Sequence, residues 1–357
     1  MPGSRIPLHL LPGQRFSCEG CGRCCRAPWN IAVDGPSRAR ISGSGLEARV
    51  RREIGGPPLV EDREGRVVLA RRSGACVFLD PAGRCRIHAD LGVEAKPRAC
   101  RQFPFLLQAT PEGVYAGLSF LCPTVQAGRG APLETAEAEL RGFLDEEGGG
   151  SLPEATPGWE ERRALEAEMR HALAGQPPSE VLRRALERTL GVPRPASPGL
   201  EALEAFGAAR FVGWLEYPAD PGSGEALARA LREGRGRARV PRFGWDGPAE
   251  ELACRLAGQL PGTDLEASLR RYLDALLFRK ILVGERPLAR TLALLHLALA
   301  VLRWYACTGA ALRGAPAPGP GDVDRALGIC ELELVTHARG QDPLLGDFLR
   351  MWNALPR

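Results

Sequence analysis

Eight of the chain's 11 cysteines fall within its first 122 residues: Cys18, Cys21, Cys24, Cys25, Cys76, Cys85, Cys100 and Cys122. Only Cys254, Cys307 and Cys330 occupy the other 235 of 357 residues. A segment with this many thiols is constrained by whatever they bind or bridge. The opening MPGSRIPLHLLPG has neither the long apolar core nor the small-residue cleavage site of a secretory signal. A cytoplasmic location is therefore expected. Disulfides are rare there, so clustered thiols read as metal ligands or redox groups. The three scattered cysteines read as small buried hydrophobes.

Cys18-Glu-Gly-Cys21-Gly-Arg-Cys24-Cys25 is the strongest part of the pattern. Two-residue spacings let tight turns aim successive thiolates at one centre, and Gly20 and Gly22 permit the backbone this needs. The first three cysteines fit the start of a bacterial ferredoxin run, but the fourth position is Pro28, so the chain is no ferredoxin. Nor does the spacing give the Cys-x3-Cys-x2-Cys loop of radical S-adenosylmethionine (SAM) enzymes. Adjacent Cys24 and Cys25 are expected to point apart, one of them serving a second metal or another part of the domain.

Cys76 and Cys85 flank a turn at Asp80-Pro-Ala-Gly83, so their thiols can approach across a hairpin; Cys100 and Cys122 complete the set. Thiolates favour zinc, iron–sulfur clusters or copper(I) over hard cations. Eight suffice for two four-coordinate sites, or for one iron–sulfur cluster plus another metal, and the spacing leaves the partition open. Arg98 and Arg101, flanking Cys100, could donate hydrogen bonds to metal-bound sulfur. Phe103-Pro-Phe105 is expected to pack over the site, and His88 to be structural or superficial rather than a ligand.

Several enzyme classes lack their signatures. The only lysines, Lys96 and Lys280, do not follow glycine, so there is no phosphate-binding Gly-Lys loop. None of the histidines (His9, His88, His171, His296, His337) builds His-Glu-x-x-His, and no Gly-x-Ser-x-Gly elbow occurs. Gly43-Ser-Gly45-x-x-Ala48 mimics a dinucleotide loop but follows no strand pattern. Residues 1–130 carry a net charge of +8 and residues 131–357 one of −4. A four-thiolate dication carries −2, so two such centres would offset much of the basic excess. The arginines are scattered without interleaved aromatics, which argues against nucleic acid as a partner.

These patterns predict an α+β protein: a small cysteine-rich metal-binding domain with short β-hairpins over 1–130, a helical linker region over 131–200, and an α-helical domain over 201–357. Arg66-Val-Val-Leu-Ala70, Cys76-Val-Phe-Leu79 and a return strand Cys85-Arg-Ile87 read as extended, as does a hairpin of 103–110 with 114–121. Pro/Gly-rich stretches at 147–153, 176–178, 192–198 and 315–321 punctuate the rest, the first reading as a domain boundary. Thr263-x-x-Glu266 reads as a capping box opening a helix that Gly284 ends. Residues 291–302 are apolar but include His296, so they read as a buried core helix, not a membrane span.

The same residues resemble the CxxCxxCC, or YkgJ-like, cysteine-cluster family, described as a domain that chelates zinc or iron. The resemblance rests on Cys18, Cys21, Cys24 and Cys25, on Cys76-Val-Phe-Leu79, on Gly83-Arg-Cys85-Arg-Ile87, and on Lys96-Pro-Arg-Ala-Cys100-Arg-Gln-Phe-Pro-Phe105. It spans roughly residues 16–123. Lys96 stands where the family often has arginine. Flagellin lysine-N-methylases couple such a module to a helical region. The likeness implies a [4Fe–4S] cluster, SAM and methyl transfer to a protein lysine. The helical part is similar only through Arg271-Tyr-Leu and Phe278-Arg279. Two functions follow as expectations: an iron–sulfur or iron protein acting on a protein substrate, or a structural zinc module presenting a surface to a macromolecular partner.

Overall fold

The computed structural model describes residues 6–146, 152–192, 198–260, 262–284, 286–336 and 342–355. The chain forms two compact units, Met1–Leu107 with Ala116–Leu152, and Gln108–Tyr115 with Pro153–Arg357. The fold is α+β, with short strand pairs in the N-terminal region and helices beyond it.

The first unit is made of small pieces. Leu59–Glu61 pairs with Val67–Leu69, Arg71–Arg72 with Ala75–Cys76, and Arg15–Phe16 with Ala131–Pro132, all antiparallel. Phe105–Thr110 and Gly113–Leu118 form the expected hairpin, of which Gln108–Tyr115 count with the second unit. The core is a cluster of Ile41, Leu46, Val50, Leu69, Phe78, Ile87 and Ala95, with Cys76, Cys85 and Cys100 packed on its edge. The thiol-bearing segments are thus attached to apolar side chains whose burial supplies the driving force. Asp34 caps the helix Gly35–Gly43, its Oδ1 accepting from the Ser37 N–H at 2.9 Å. The dinucleotide-like Gly43-Ser-Gly45 joins that helix to the helix Leu46–Ile54, with no strand before it.

One local expectation is corrected here. Cys85-Arg-Ile87 is not a return strand. Cys85 makes one bridge to Leu79 and then caps the helix Arg86–Leu91. The turn itself is present: the Gly83 N–H donates to the Asp80 carbonyl at 2.9 Å, and Gly83 has φ +82°. The chain turns back but, with Ile87 drawn into the core cluster, continues as helix.

The second unit is built on the 25-residue helix Leu288–Leu312. It is long and apolar enough to cross a membrane, yet 78% of its most apolar window is buried inside the protein. The helices Pro178–Leu190, Pro198–Glu216, Pro320–Cys330 and Asp342–Ala354 pack against it. Among the described residues of 131–192 the α-helices are Trp159–Ala172 and Pro178–Leu190 in this unit and Glu137–Glu146 in the first. The helix Thr263–Phe278 has Gly262 as its N-cap and ends at Phe278, six residues before Gly284. Thr263 is therefore its first residue and not its cap. Lys280 follows with φ +60°, which breaks the helix earlier than a glycine would. A hairpin, Arg237–Val240 with Trp245–Pro248, interrupts the helices without having been anticipated. The proposed boundary at 147–153 and the proline-rich 192–198 fall largely outside the described residues, and His337 lies outside them too.

Charges are buried in pairs. Glu331 is fully buried in the π-helical turn Glu331–Val335, and accepts from the Tyr272 hydroxyl at 2.7 Å and from Arg279 at 3.0 Å. The Lys280 ammonium lies 2.7 Å from Glu166 and 4.0 Å from the Tyr115 ring centroid.

Candidate metal centre

The first four cysteines follow the two-residue strand Arg15–Phe16. Gly20 and Gly22 adopt φ +67° and +68°, the left-handed conformation that glycine takes without strain. Gly22 starts the single helical turn Arg23–Arg26, which presents Cys24 and Cys25. The Trp29 indole N–H donates to the Cys24 carbonyl at 3.0 Å and fixes the end of that turn. Cys76 ends the strand Ala75–Cys76, opposite Arg71. Cys100 lies in the short helix Arg98–Gln102, its N–H donating to the Pro97 carbonyl at 2.8 Å. Cys122 caps the helix Pro123–Gln126.

All eight of these cysteines line one cavity of about 300 Å³. All are free thiols. Phe16, Trp29 and Phe103 stand in its wall, with Trp29 and Phe103 edge to face at 5.2 Å. Of the Phe103–Phe105 segment expected over the site, Phe103 lines the cavity whereas Phe105 packs between Phe16 and Phe143, and exposed His88 also lies in the lining.

Electrostatics divides the set. Cys24 and Cys25 do not point apart; they share a hydrogen bond, and Cys25 also bonds Cys85. The Cys25 thiol is pushed up by these two bonds and by burial. Its neighbours gain as acceptors. Cys24 is lowered to about 7, chiefly by the bond from Cys25. Cys85 is lowered to about 6 by the bond from Cys25 and by the N–H groups of His88 and Ile87. Burial dominates the rest, raising Cys76 to about 11 and pushing Cys100 well up. Cys25, Cys76 and Cys100 each feel Cys24 and Cys85, and Cys100 also feels Cys76. Cys122, raised by burial, feels Cys21 instead. Cys18 and Cys21 are exposed. Five thiols thus form an inner group, and Cys18, Cys21 and Cys122 an outer one.

Among the described residues, no group of three or more His, Cys, Asp or Glu side chains is arranged to hold a single metal ion. What the eight thiols share is the lining of one cavity.

Arg98 and Arg101 are elsewhere. Neither is in the cavity wall. Arg101 makes a paired contact with Glu146 at 3.0 and 3.1 Å, and Arg98 donates to the Phe143 carbonyl at 3.1 Å. Both guanidiniums tie the Cys100 helix to the helix Glu137–Glu146. Two cations of the wall act on the thiols instead: the charge of Lys96 on Cys24, Cys85 and Cys100, and that of Arg71 on Cys76. The sequence signal for Lys96 was its place four residues before Cys100.

The segment that builds this cavity can be compared with known families. Residues 17–119 match the family model CxxCxxCC, described as "Putative zinc- or iron-chelating domain". The N-terminal segment is thus similar to a CxxCxxCC domain. Zinc or iron chelation is the function that this family assigns to it. No curated protein and no solved structure shows significant similarity to the chain.

The later cysteines belong to the helical unit. Cys330 is fully buried, its thiol 3.7 Å from the Ala298 carbonyl. Cys307 is half-buried, but Cys254 is exposed, contrary to the expected core position. The helical unit also has an apolar groove of about 1100 Å³, where buried His296 bonds Glu204 through Nε2 at 2.9 Å.

Proposed function

We propose that the CxxCxxCC domain holds an iron–sulfur cluster on its inner thiols, with ligands drawn from Cys24, Cys76, Cys85 and Cys100. The observation that carries this is eight thiols around one cavity of about 300 Å³. A structural zinc ion draws four sulfurs to ~2.3 Å, which leaves roughly 3.8 Å between neighbouring sulfurs and no open space among them. A cavity of this size suits a group with several metal atoms and bridging sulfides. The donor set agrees, since soft thiolates select such clusters over hard cations.

An iron–sulfur cluster supplies one-electron transfer, or an iron atom that polarises a bound group. The chain's own residues do the rest. Phe16, Trp29 and Phe103 keep water from the sulfurs, and the Cys85 sulfur accepts two backbone N–H bonds that favour its thiolate.

Joined to a helical unit, such a domain has the layout of the flagellin lysine-N-methylases. The activity we assign for testing is methyl transfer to a lysine of a protein substrate in the cytoplasm. The methyl group passes from the sulfonium of SAM to the lysine amine. The amine loses a proton, and S-adenosylhomocysteine leaves. The test has two stages. Anaerobically purified full-length protein is expected to be brown, with broad visible absorption. It is then expected to transfer label from methyl-labelled SAM to a lysine of a candidate protein. A colourless protein loaded with stoichiometric zinc refutes the cluster and favours a structural zinc module that docks a macromolecular partner. A brown protein that labels no lysine refutes the methyl transfer alone.

A further inference from the structure

We infer that the apolar groove of the helical unit is a binding site for a primary ammonium on an alkyl stem, with the Glu204 carboxylate as the counter-charge. The inference is independent of the metal-binding reading above.

The groove has a volume of about 1100 Å³ and lies wholly within the second unit. Small-molecule sites reach about this size, and they are mostly apolar with a few placed polar groups. Buried Leu203, Leu252 and Leu299 line it. Trp304 in the same wall is half-buried, and Met351 is 39% exposed. An alkyl chain seated there would cover apolar surface that the fold leaves open.

One polar side chain of the lining is buried, His296 at 4% exposure. Its Nε2 lies 2.9 Å from Glu204 Oε1, and its Nδ1 has no hydrogen-bond partner among the described residues. Phe348 and Trp352 flank the ring, with centroids 6.4 and 6.2 Å away. An imidazolium needs an acceptor at both nitrogens, and only one has it. The hydrogen bonding therefore fits the neutral ring that donates from Nε2. That bond holds the Glu204 carboxylate in place without neutralising it, and leaves Oε2 to accept from a ligand.

The charges of the groove are unequally matched. Its two arginines are engaged: Arg303 pairs with Glu266 at 2.5 Å, and Arg232 lies 4.8 Å from the Phe206 ring centroid and 3.8 Å from Glu233. Glu201 and Glu204 stand three residues apart on the helix Pro198–Glu216, a spacing that puts them on one face. Neither pairs with an arginine or lysine among the described residues. Carboxylates without a cation beside an apolar groove select a ligand that joins a positive charge to an apolar body. A carboxylate ligand would meet like charge and find both arginines taken.

The experiment is a ligand-observed NMR titration of the full-length protein at pH 7 and low salt with hexylamine, butylamine, hexanol and hexanoate, both amines being protonated at that pH. Hexylammonium is expected to bind about 10-fold tighter than butylammonium, because two more methylenes are buried. It is expected to bind at least about 10-fold tighter than hexanol or hexanoate, because only it places a charged donor on Glu204. Glu204→Gln keeps an acceptor for His296 and is expected to weaken hexylammonium about 10-fold or more while leaving hexanol unchanged. Ala300→Phe, which fills the groove, is expected to abolish binding of both. Circular dichroism checks that each variant is folded, and the comparison of probes on wild type stands without them. N-acetyl-lysine methylamide separates two sources of the same chemistry. Binding of it that Glu204→Gln weakens assigns the cation to a lysine side chain of a protein, and its failure beside tight hexylammonium assigns the cation to a free amine. Hexanol or hexanoate binding as tightly as hexylammonium would overturn the charge role of Glu204. Equal binding of the two amines would place the ammonium on the surface and overturn the groove. Failure of hexylammonium to bind folded wild type would overturn the site altogether.

Discussion

A Cβ placed on Gly22 would lie 2.6 Å from the carbonyl oxygen of Gly83 and 2.9 Å from Leu79 Cδ1. The loop between Cys21 and Cys24 therefore presses directly on the turn between Cys76 and Cys85. Two cysteine groups 50 residues apart in sequence share one cavity because glycine permits this approach.

Gly22→Ala is accordingly expected to cost about 1–3 kcal/mol from the positive φ, plus displacement of Cys21 and Cys24. Gly20→Ala has a similar φ, but its Cβ meets nothing within 4 Å, so only the conformational strain applies. Metal content and thermal unfolding of both variants check this. Equal behaviour of the two would show that the contact with the 76–85 turn is unimportant.

Replacing one inner thiol removes a ligand that the others cannot supply. Cys24→Ser or Cys85→Ser is expected to lose most of the metal and to destabilise the first unit, because metal binding and folding are coupled. Cys307→Ser, on the central helix of the other unit, is expected to keep full metal content. Elemental analysis of the purified variants decides. Unchanged metal in both inner variants would refute the assignment.

The buried pair of Lys280 and Glu166 gives a separate test. Burial raises the Glu166 carboxyl, and the Lys280 charge and hydrogen bond only partly offset this. Glu166→Ala strands a buried ammonium and is expected to cost about 3–5 kcal/mol. The double variant Glu166→Leu/Lys280→Met removes both charges and is expected to recover most of that loss. Chemical denaturation of the single and double variants measures it. A double variant no better than the single one would mean that the charges are not coupled.

Acid should act through Glu331. Burial pushes its carboxyl up, but the Arg279 charge and the bonds from Arg279 and Tyr272 outweigh this and hold it below its ordinary 4.5. A lowered carboxyl stabilises the fold fully above pH 4.5, and that contribution is lost as pH falls through the lowered value. Glu331→Gln is expected to be less stable at neutral pH, by about 3–5 kcal/mol, because the buried Arg279 loses its carboxylate. Its stability should also fall less steeply below pH 4.5. Unfolding curves from pH 3 to 7 provide the check, and an unchanged slope would assign the acid sensitivity to other groups.

The thiol cavity was largely written in the sequence, since cysteine spacing, Gly22 and the Asp80–Gly83 turn are local features. The partners of Arg98 and Arg101 were not, because Glu146 and Phe143 lie some 45 residues away. Flanking a cysteine in sequence did not aim either guanidinium at sulfur. Cys85 was misread for a related reason. Its hairpin turn is local, but the helix after it forms because Ile87 joins a core assembled from distant residues. The hairpin Arg237–Val240 with Trp245–Pro248 was hidden by brevity: four residues with alternating burial are too few for periodicity to single out.

The most direct measurement is the number of iron and acid-labile sulfide atoms per chain in anaerobically purified full-length protein. An iron–sulfur cluster on the inner thiols predicts iron and sulfide in equal amounts, at about four of each per chain for a [4Fe–4S] cluster. Stoichiometric zinc with neither iron nor sulfide would contradict it.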